Sequence, residues 1–492
     1  MRSTNSQNIN FPIVLRVMGW LLMIEALFMC VPMGISWLYG ESQSMRSFLY
    51  SVVITLAVGF SMTTFLHPSS LRMQRREGLL LTAVIWVFFS AFGMLPFLFS
   101  GTLHSATDAF FETMSGFTTT GSTVIRDIDH TARGILFWRS MTQWIGGMGI
   151  ILFTLAVLPM LNHKGGIAMF NAEVTGITHD RLHPRVSQSA KFLWSVYLVF
   201  SVMMSLLLAM GPMGWFDGVC HTMSTLSTGG FSTNSMGVNH WHDYYSTWVI
   251  MAFMFIGGVN FPLIAKVAHA GPKVLLKSDT FKWYVGMVVV TIGIIWLHLL
   301  HKGLLNGHAE IALFSAFDTI SAITSTGFST FDYEHTGEFI PFFLMIAMSF
   351  GAMAGSTSGA AKTDRMIVLF KSTRNEFYRV LHPNTVTSVH IENRALPHDV
   401  VSKVLAFLAT YAIVLIAVAL FLSMQGVPLL DSLFTSASAL GNVGLGYGVT
   451  SSGSFALLSN AAKWLLSFEM MIGRLELFTV LVIFTRNFWV KD

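Results

Sequence analysis

Charge is scarce in this chain: of 492 residues only 11% are Asp, Glu, Lys or Arg, against 53% hydrophobic. A soluble domain carries roughly a quarter charged residues, so a water-facing globule is excluded. Cysteine is nearly absent, and Cys30 and Cys220 both sit in apolar runs, which rules out a disulfide framework. The 17 histidines show no His-Glu-x-x-His spacing, and no Rossmann-like nucleotide-binding unit occurs. Gly355-Ser356-Thr357-Ser358-Gly359 has the outline of a nucleophile elbow, but its central residue is Thr and no strand precedes it. Enzyme chemistry therefore has no support. The net charge of +4 is spread over loops rather than clustered, so nucleic acid is not an expected partner.

What the chain has in excess is apolar length, with a mean hydropathy of +0.62. Spanning helices need about 20 such residues each, and an all-α integral membrane protein in contact with lipid follows. The run Val14 to Tyr39 follows Arg2 and contains Arg16 in the manner of a signal peptide. It exceeds the roughly 7 to 15 apolar residues of such a segment and lacks a small-residue cleavage site, so it is read as a retained first span. A second span covers about Phe48 to Leu66.

Four repeats follow, each a span, a short apolar segment ending in a Gly/Thr/Ser motif, and another span. The boundaries are 79–165, 166–275, 276–385 and 386–492, after two N-terminal helices in 1–78. The motifs are Thr118-Thr119-Thr120-Gly121, Ser227-Thr228-Gly229-Gly230-Phe231, Ser325-Thr326-Gly327-Phe328 and Gly441-Asn442-Val443-Gly444. The segments leading to them are too short to cross a membrane and match re-entrant helices. Non-helical backbone at membrane depth is tolerated only where protein or an aqueous path surrounds it. Glycine reaches φ > 0 without steric cost and can aim carbonyls at a common axis, and four such segments can replace the water shell of a cation. The implied architecture is four helix/pore-loop/helix units in pseudo-four-fold order around one pore. Thirteen positions before the motif glycine stand Asp108, Asp217 and Asp431, with Phe314 in the third copy. These carboxylates are expected to cap the amides at the outer ends of the re-entrant helices. His221, inside the second re-entrant segment, is expected to be packed or hydrogen-bonded rather than a ligand.

The second spans, Gly134 to Met160, Tyr245 to Ala268, Phe339 to Phe370 and Asn460 to Phe484, align at Gly147, Gly258, Ala352 and Arg474. An arginine in mid-span is costly unless it faces water or a partner, so Arg474 is expected to face the pore. The third of these spans, with 32 residues, would reach about 48 Å as one straight helix, well past a hydrocarbon core of about 30 Å. Its centre, Gly351 to Gly359 with Gly355, Ser356, Thr357 and Ser358, reads as a break lying across the inner pore.

Arg72, Arg75, Arg76, Lys164, Arg181, Arg185, Lys191, Lys266, Lys273, Lys277, Lys282, Lys371, Arg374, Arg379, Arg394 and Lys403 fall in loops on one side. The positive-inside rule places that side, and both termini, in the cytoplasm.

In this order, and together with Ile472-Gly473-Arg474-Leu475-Glu476, the four motifs closely resemble those of the TrkH/TrkG subunits of bacterial Trk/Ktr potassium uptake systems, over essentially the whole chain. The resemblance implies a potassium-conducting inner-membrane subunit, a homodimer whose protomers each hold a pore. It implies ion-coordinating oxygens at Thr119, Thr120, Gly121, Thr228, Gly229, Gly230, Ser325, Thr326, Gly327, Asn442, Val443 and Gly444. It further implies a loop gate over Gly351–Gly359, the pore arginine Arg474, no cofactor beyond the transported K+, and a cytosolic nucleotide-binding regulatory partner of the RCK type. A symporter coupled to H+ or Na+ is the competing reading. Its repeats would usually be inverted, whereas these four start on one side. Each motif has a single well-placed glycine, so selectivity is expected to be less stringent than in a four-fold symmetric channel.

Overall fold

The computed structural model describes residues 9–68, 73–147, 149, 186–303, 307–330, 336–392 and 394–490. Most of the far half of the expected span 134–160 lies outside them, as do Arg72 and the loop with Lys164, Arg181 and Arg185.

Two long helices, α1 (Phe11–Leu38) and α2 (Ser42–Phe65), come first. They cross at Gly19 and Gly59: a Cβ on Gly19 would stand 2.7 Å from the Gly59 carbonyl oxygen, and one on Gly59 2.8 Å from that of Gly19. Small residues let apolar helices approach this closely, which matters where no hydrophobic effect drives association.

Unit one comprises α3 (Arg75–Gly93) continued by α4 (Leu95–Ser100), the short α5 (Ala106–Phe117) and α6 (Arg133–Gly147). Unit two has α7 (Val186–Ala209), α8 (Gly214–Leu226), α9 (Tyr244–Gly257) and α10 (Phe261–Ala270). In unit three follow α11 (Asp279–Lys302), α12 (His308–Ile323), α13 (Phe339–Phe350) and α14 (Thr363–Leu381). Unit four holds α15 (His398–Met424), α16 (Leu429–Leu440) and α17 (Asn460–Leu475). Among the described residues six helices, with α3 and α4 counted as one, are long and apolar enough to cross a membrane. Apart from a two-residue antiparallel pair at 390–391 and 394–395, the described regular structure is helical.

The units close into a ring. The short helix of each packs on the first and second helices of its own unit and on the second helix of the unit before it: α8 on α6, α12 on α9, α16 on α13, and α5 on α17. That last contact joins the fourth unit to the first. The short helices end in fully buried apolar residues, Phe117, Leu226, Ile323 and Leu440, which anchor them in the core.

Two of the expected continuous spans are broken. Between α9 and α10 the chain bends by 102°. Asn260 caps α10 by accepting from the Leu263 amide, and Pro262 supplies no amide to continue the previous turn. In unit four α17 stops at Leu475, because Glu476 takes φ 63°, and a short helix Leu477–Leu481 follows. Unit three breaks from Gly351 to Lys362. Interruption at or next to the aligned position, Gly258, Ala352 or Arg474, is thus shared by units two, three and four.

Replacing Gly59 with Leu is expected to force α1 and α2 apart at a cost of about 1–3 kcal/mol, read as a lowered Tm in detergent. An unchanged Tm would mean the crossing bears no packing load.

Candidate ion pathway

The four short helices end identically. The residue two before each motif glycine, Thr119, Thr228, Ser325 or Asn442, sits at φ between 52° and 56°. Its amide donates to the Gly116, Thr225, Ala322 or Ala439 carbonyl. The next amide, of Thr120, Gly229, Thr326 or Val443, donates to Ser115, Ser224, Ser321 or Ser438 at 2.7–2.8 Å. This pairing is a Schellman closure. An L-residue in this left-handed conformation costs about 1–2 kcal/mol. The glycine that follows returns to positive φ, 87°, 77°, 87° and 82° for Gly121, Gly230, Gly327 and Gly444.

The ring is visible in what a side chain would strike. A Cβ on Gly121 would fall on the carbonyl oxygen of Gly229, one on Gly230 on that of Thr326, one on Gly327 on that of Val443, and one on Gly444 on that of Thr120. Each glycine therefore leaves room for the carbonyl of the next unit, and the fourth closes on the first. Above it lies a cavity of about 360 Å³ lined by all four glycines. The expected filter residues are brought together at this ring.

The carboxylates at the outer ends do not cap their own helices. Asp108 accepts from Lys463 Nζ at 2.6 Å, Asp217 from the Thr233 hydroxyl at 2.7 Å, and Asp431 from the Val449 amide at 3.0 Å. Each stands in its helix's first turn, but its side chain reaches across to neighbouring backbone or a neighbouring helix. One turn nearer the glycine stand Glu112, His221, Asp318 and Thr435, nine positions before it; of these only His221 was marked by the sequence, and it is packed and hydrogen-bonded as expected. Glu112 accepts from the Val124 amide at 2.8 Å, His221 Nε2 pairs with Ser232 Oγ at 3.2 Å, Asp318 accepts from the Thr330 amide at 2.9 Å, and Thr435 pairs with Thr450 at 3.1 Å. A hydrogen-bonding residue at one offset in four copies was the available signal. All four fasten the chain segment that leaves the ring.

Arg139 of α6 binds Glu112 at 2.8 Å, both side chains almost fully buried, and also donates to the Ser232 carbonyl at 3.0 Å and Thr123 Oγ1 at 3.1 Å. Its guanidinium lies 4.2 Å from the Phe231 ring centre. One buried pair thus ties together the strands leaving the first two motifs. Farther out, Ser235 donates through its amide and its hydroxyl to Asp129, and the Ser235 hydroxyl holds the Asp129 carboxyl below the ordinary carboxylate range. A depressed folded value means that this link is present above the unfolded pKa and is lost only as pH falls through the lowered one.

Beneath the ring lies the break of unit three. The Gly359 amide donates to Ser325 Oγ at 2.6 Å, and Thr357 Oγ1 donates to the Leu226 carbonyl at 3.1 Å. A Cβ on Gly359 would fall on the Gly441 carbonyl oxygen. Arg474, half-buried, donates to the Thr357 carbonyl at 2.7 Å and to the Gly146 carbonyl at 2.8 Å. Nearby, Glu476 pairs with Arg365 at 2.5 Å, and Glu469 accepts from Ser436 at 2.7 Å.

A closed ring of four helix C-termini over a buried loop defines a membrane protein of the re-entrant pore type. The chain belongs to the TrkH family, described as cation transport proteins, whose model matches residues 42–490. It is similar to the Trk system potassium uptake protein TrkH of Salmonella typhimurium, 34% identical over 98% of this chain and 99% of the relative. It also resembles TrkG of Escherichia coli K12, 31% identical over 97% of this chain and 98% of that protein. The crystal structure of the potassium transporter TrkH from Vibrio parahaemolyticus superposes with a TM-score of 0.87 at 31% identity, covering 98% of this chain and 100% of that one.

Gly121→Ala places a methyl on the Gly229 oxygen at a positive φ, and cation flux through the purified protein is expected to fall by roughly tenfold. Gly286→Ala, where a Cβ meets open space, serves as the comparison and is expected to leave flux unchanged. Equal flux in both variants would remove the ring from the pathway.

Proposed function

We propose that this chain is the potassium-translocating subunit of a bacterial Trk-type uptake system, a gated channel-like pathway in the inner membrane. The observation that carries it is the ring in which each motif glycine makes room for the next unit's carbonyl oxygen, in a chain of the TrkH family. Helix C-termini carry partial negative charge, and four aimed at one point favour a cation there. Thr119, Thr120, Gly121, Thr228, Gly229, Gly230, Ser325, Thr326, Gly327, Asn442, Val443 and Gly444 form the selectivity filter and hold the dehydrated potassium ion. The repeat boundaries at 79, 166, 276 and 386 divide the chain into the four quadrants.

Gly351, Gly355, Ser356, Thr357, Ser358 and Gly359 form the gate, and Arg474 is its latch. Support comes from the loop's position under the filter and from the two carbonyls that the guanidinium bridges. At about 6 Å from a permeating ion, with an effective dielectric near 20, the guanidinium also repels it by roughly 3 kcal/mol before water and counter-charges reduce the effect. The loop is opened by a cytosolic nucleotide-binding partner, the protein works as a homodimer with one pore per protomer, and both termini face the cytoplasm, as the distribution of Lys and Arg requires.

Arg474→Ala is expected to raise partner-independent potassium flux several-fold while leaving Tm near the parent value, and Arg474→Lys to change it less. A variant both less stable and less conductive would make Arg474 a structural residue instead. Reversal potentials in liposomes test the channel reading: they are expected to follow the potassium gradient alone, and displacement by a sodium or proton gradient would establish coupled transport.

A further inference from the structure

The four filters are not equally furnished. The residue before the motif glycine is Thr120, Thr326 or Val443 in three units, and Gly229 in unit two. The space that a side chain at 229 would occupy is filled from another helix. The three atoms nearest an ideal Cβ on Gly229 all belong to Gln143 of α6: its Cδ, its Oε1 at 2.7 Å and its Nε2 at 2.8 Å. Gln143 is fully buried. Its Nε2 donates to the Gly229 carbonyl at 2.5 Å, and its Oε1 accepts from the Phe231 amide at 3.1 Å. One side-chain amide thus grips the backbone on both sides of Gly230.

The aligned second helices show that this arrangement is particular to one quadrant. Four positions before Gly147, Gly258, Ala352 and Arg474 stand Gln143, Met254, Met348 and Met470, all fully buried. The three methionines accompany filters that have a side chain before the glycine. The glutamine accompanies the one that lacks it.

We propose that Gln143 is a specificity-determining positioning residue, a side chain lent by unit one to the filter of unit two. It does not touch the ion. A glycine before a glycine leaves the backbone of this quadrant with little steric restraint, and the two hydrogen bonds replace that restraint. The donor on the Gly229 oxygen also competes with the ion for that carbonyl's electron density. Gln143 therefore sets both the position and the ligand strength of the second quadrant. The inference rests on the filter reading above.

Double substitution provides the test. Gln143→Met removes both hydrogen bonds while giving this position the residue of the other three units. It is expected to lower potassium over sodium discrimination roughly fivefold, the worth of one net hydrogen bond, and to raise the half-saturating potassium concentration. Gly229→Thr alone drives a side chain into Gln143 and is expected to lower discrimination as well. The pair Gln143→Met with Gly229→Thr reproduces the pattern of the other quadrants and is expected to lie closer to the parent than either single change. Should Gln143→Met fail to fold, recovery of folding in the pair is the expected compensation. Parent-like discrimination and half-saturation in Gln143→Met, or a pair worse than both singles or equally unfolded, would overturn the assignment. Unaltered discrimination in a conducting, folded Gly121→Ala would instead defeat the filter reading itself.

Discussion

The unfinished end of the helix is the constraint on which the rest of this structure depends. An α-helix leaves its last carbonyls without intrahelical partners, and inside a membrane no bulk water is present to satisfy them. Here four helices end together, and each uses one left-handed residue to turn two amides back onto two of those carbonyls. The carbonyls beyond that closure, of Thr120, Gly229, Thr326 and Val443, are carried to a common ring. In the function proposed above a dehydrated cation completes them, and the turn that finishes the helix then also begins the ion site. The remaining packing follows: apolar side chains lock the helix ends into the core, and paired small residues admit the second helices. Gly146 faces the Phe117 carbonyl of its own unit and Gly147 faces Ser227 of the next, as Gly257 faces Leu226 and Gly258 faces Thr324.

Much of this was legible in the residues. Four copies of a glycine-centred motif between apolar runs gave the number of units, and glycine is needed where the chain must return to positive φ. The left-handed positions at Thr119, Thr228, Ser325 and Asn442 were not legible, because three of the four are β-branched or hydroxyl residues that local propensity steers elsewhere. They are imposed by the helix closure and by burial. The carboxylates at 108, 217 and 431 were recognised, but helix-cap statistics describe local bonds, and these side chains make tertiary ones. The breaks after α9 and α17 are marked only by Asn260 with Pro262 and by Glu476 inside otherwise apolar runs, whereas the third unit carries a stretch rich in glycine, alanine and serine that revealed its own. Gln143 was invisible for a related reason. Its partner Gly229 is 86 residues away, and nothing local marks the gap that it fills.

The repeats share a scaffold and differ in what occupies its equivalent points. Nine positions before the glycine stand a glutamate, a histidine, an aspartate and a threonine, each holding the departing strand by different chemistry. The Glu112–Arg139 pair exists once, and with it the bridge between the first and second strands. Removing one member of a buried pair costs about 3–5 kcal/mol because the other charge is stranded, so Glu112 and Arg139 depend on each other in a way that no equivalent positions of the other units do.

Arg474 shows what a single polypeptide permits that an assembly of identical subunits does not. Its equivalents are Gly147, Gly258 and Ala352, so one guanidinium reaches the Thr357 carbonyl of unit three and the Gly146 carbonyl of unit one and has room to do so. If the four quadrants were copies of one gene product, the same substitution would bring four cations to one narrow throat. Each neighbouring pair would repel by several kcal/mol at the distances involved, and no single arm could span the opening without colliding with three others. Internal duplication therefore amounts to a licence for asymmetry: the fold keeps its rotational repeat in the backbone, while selection can edit one position of four and leave its mates untouched.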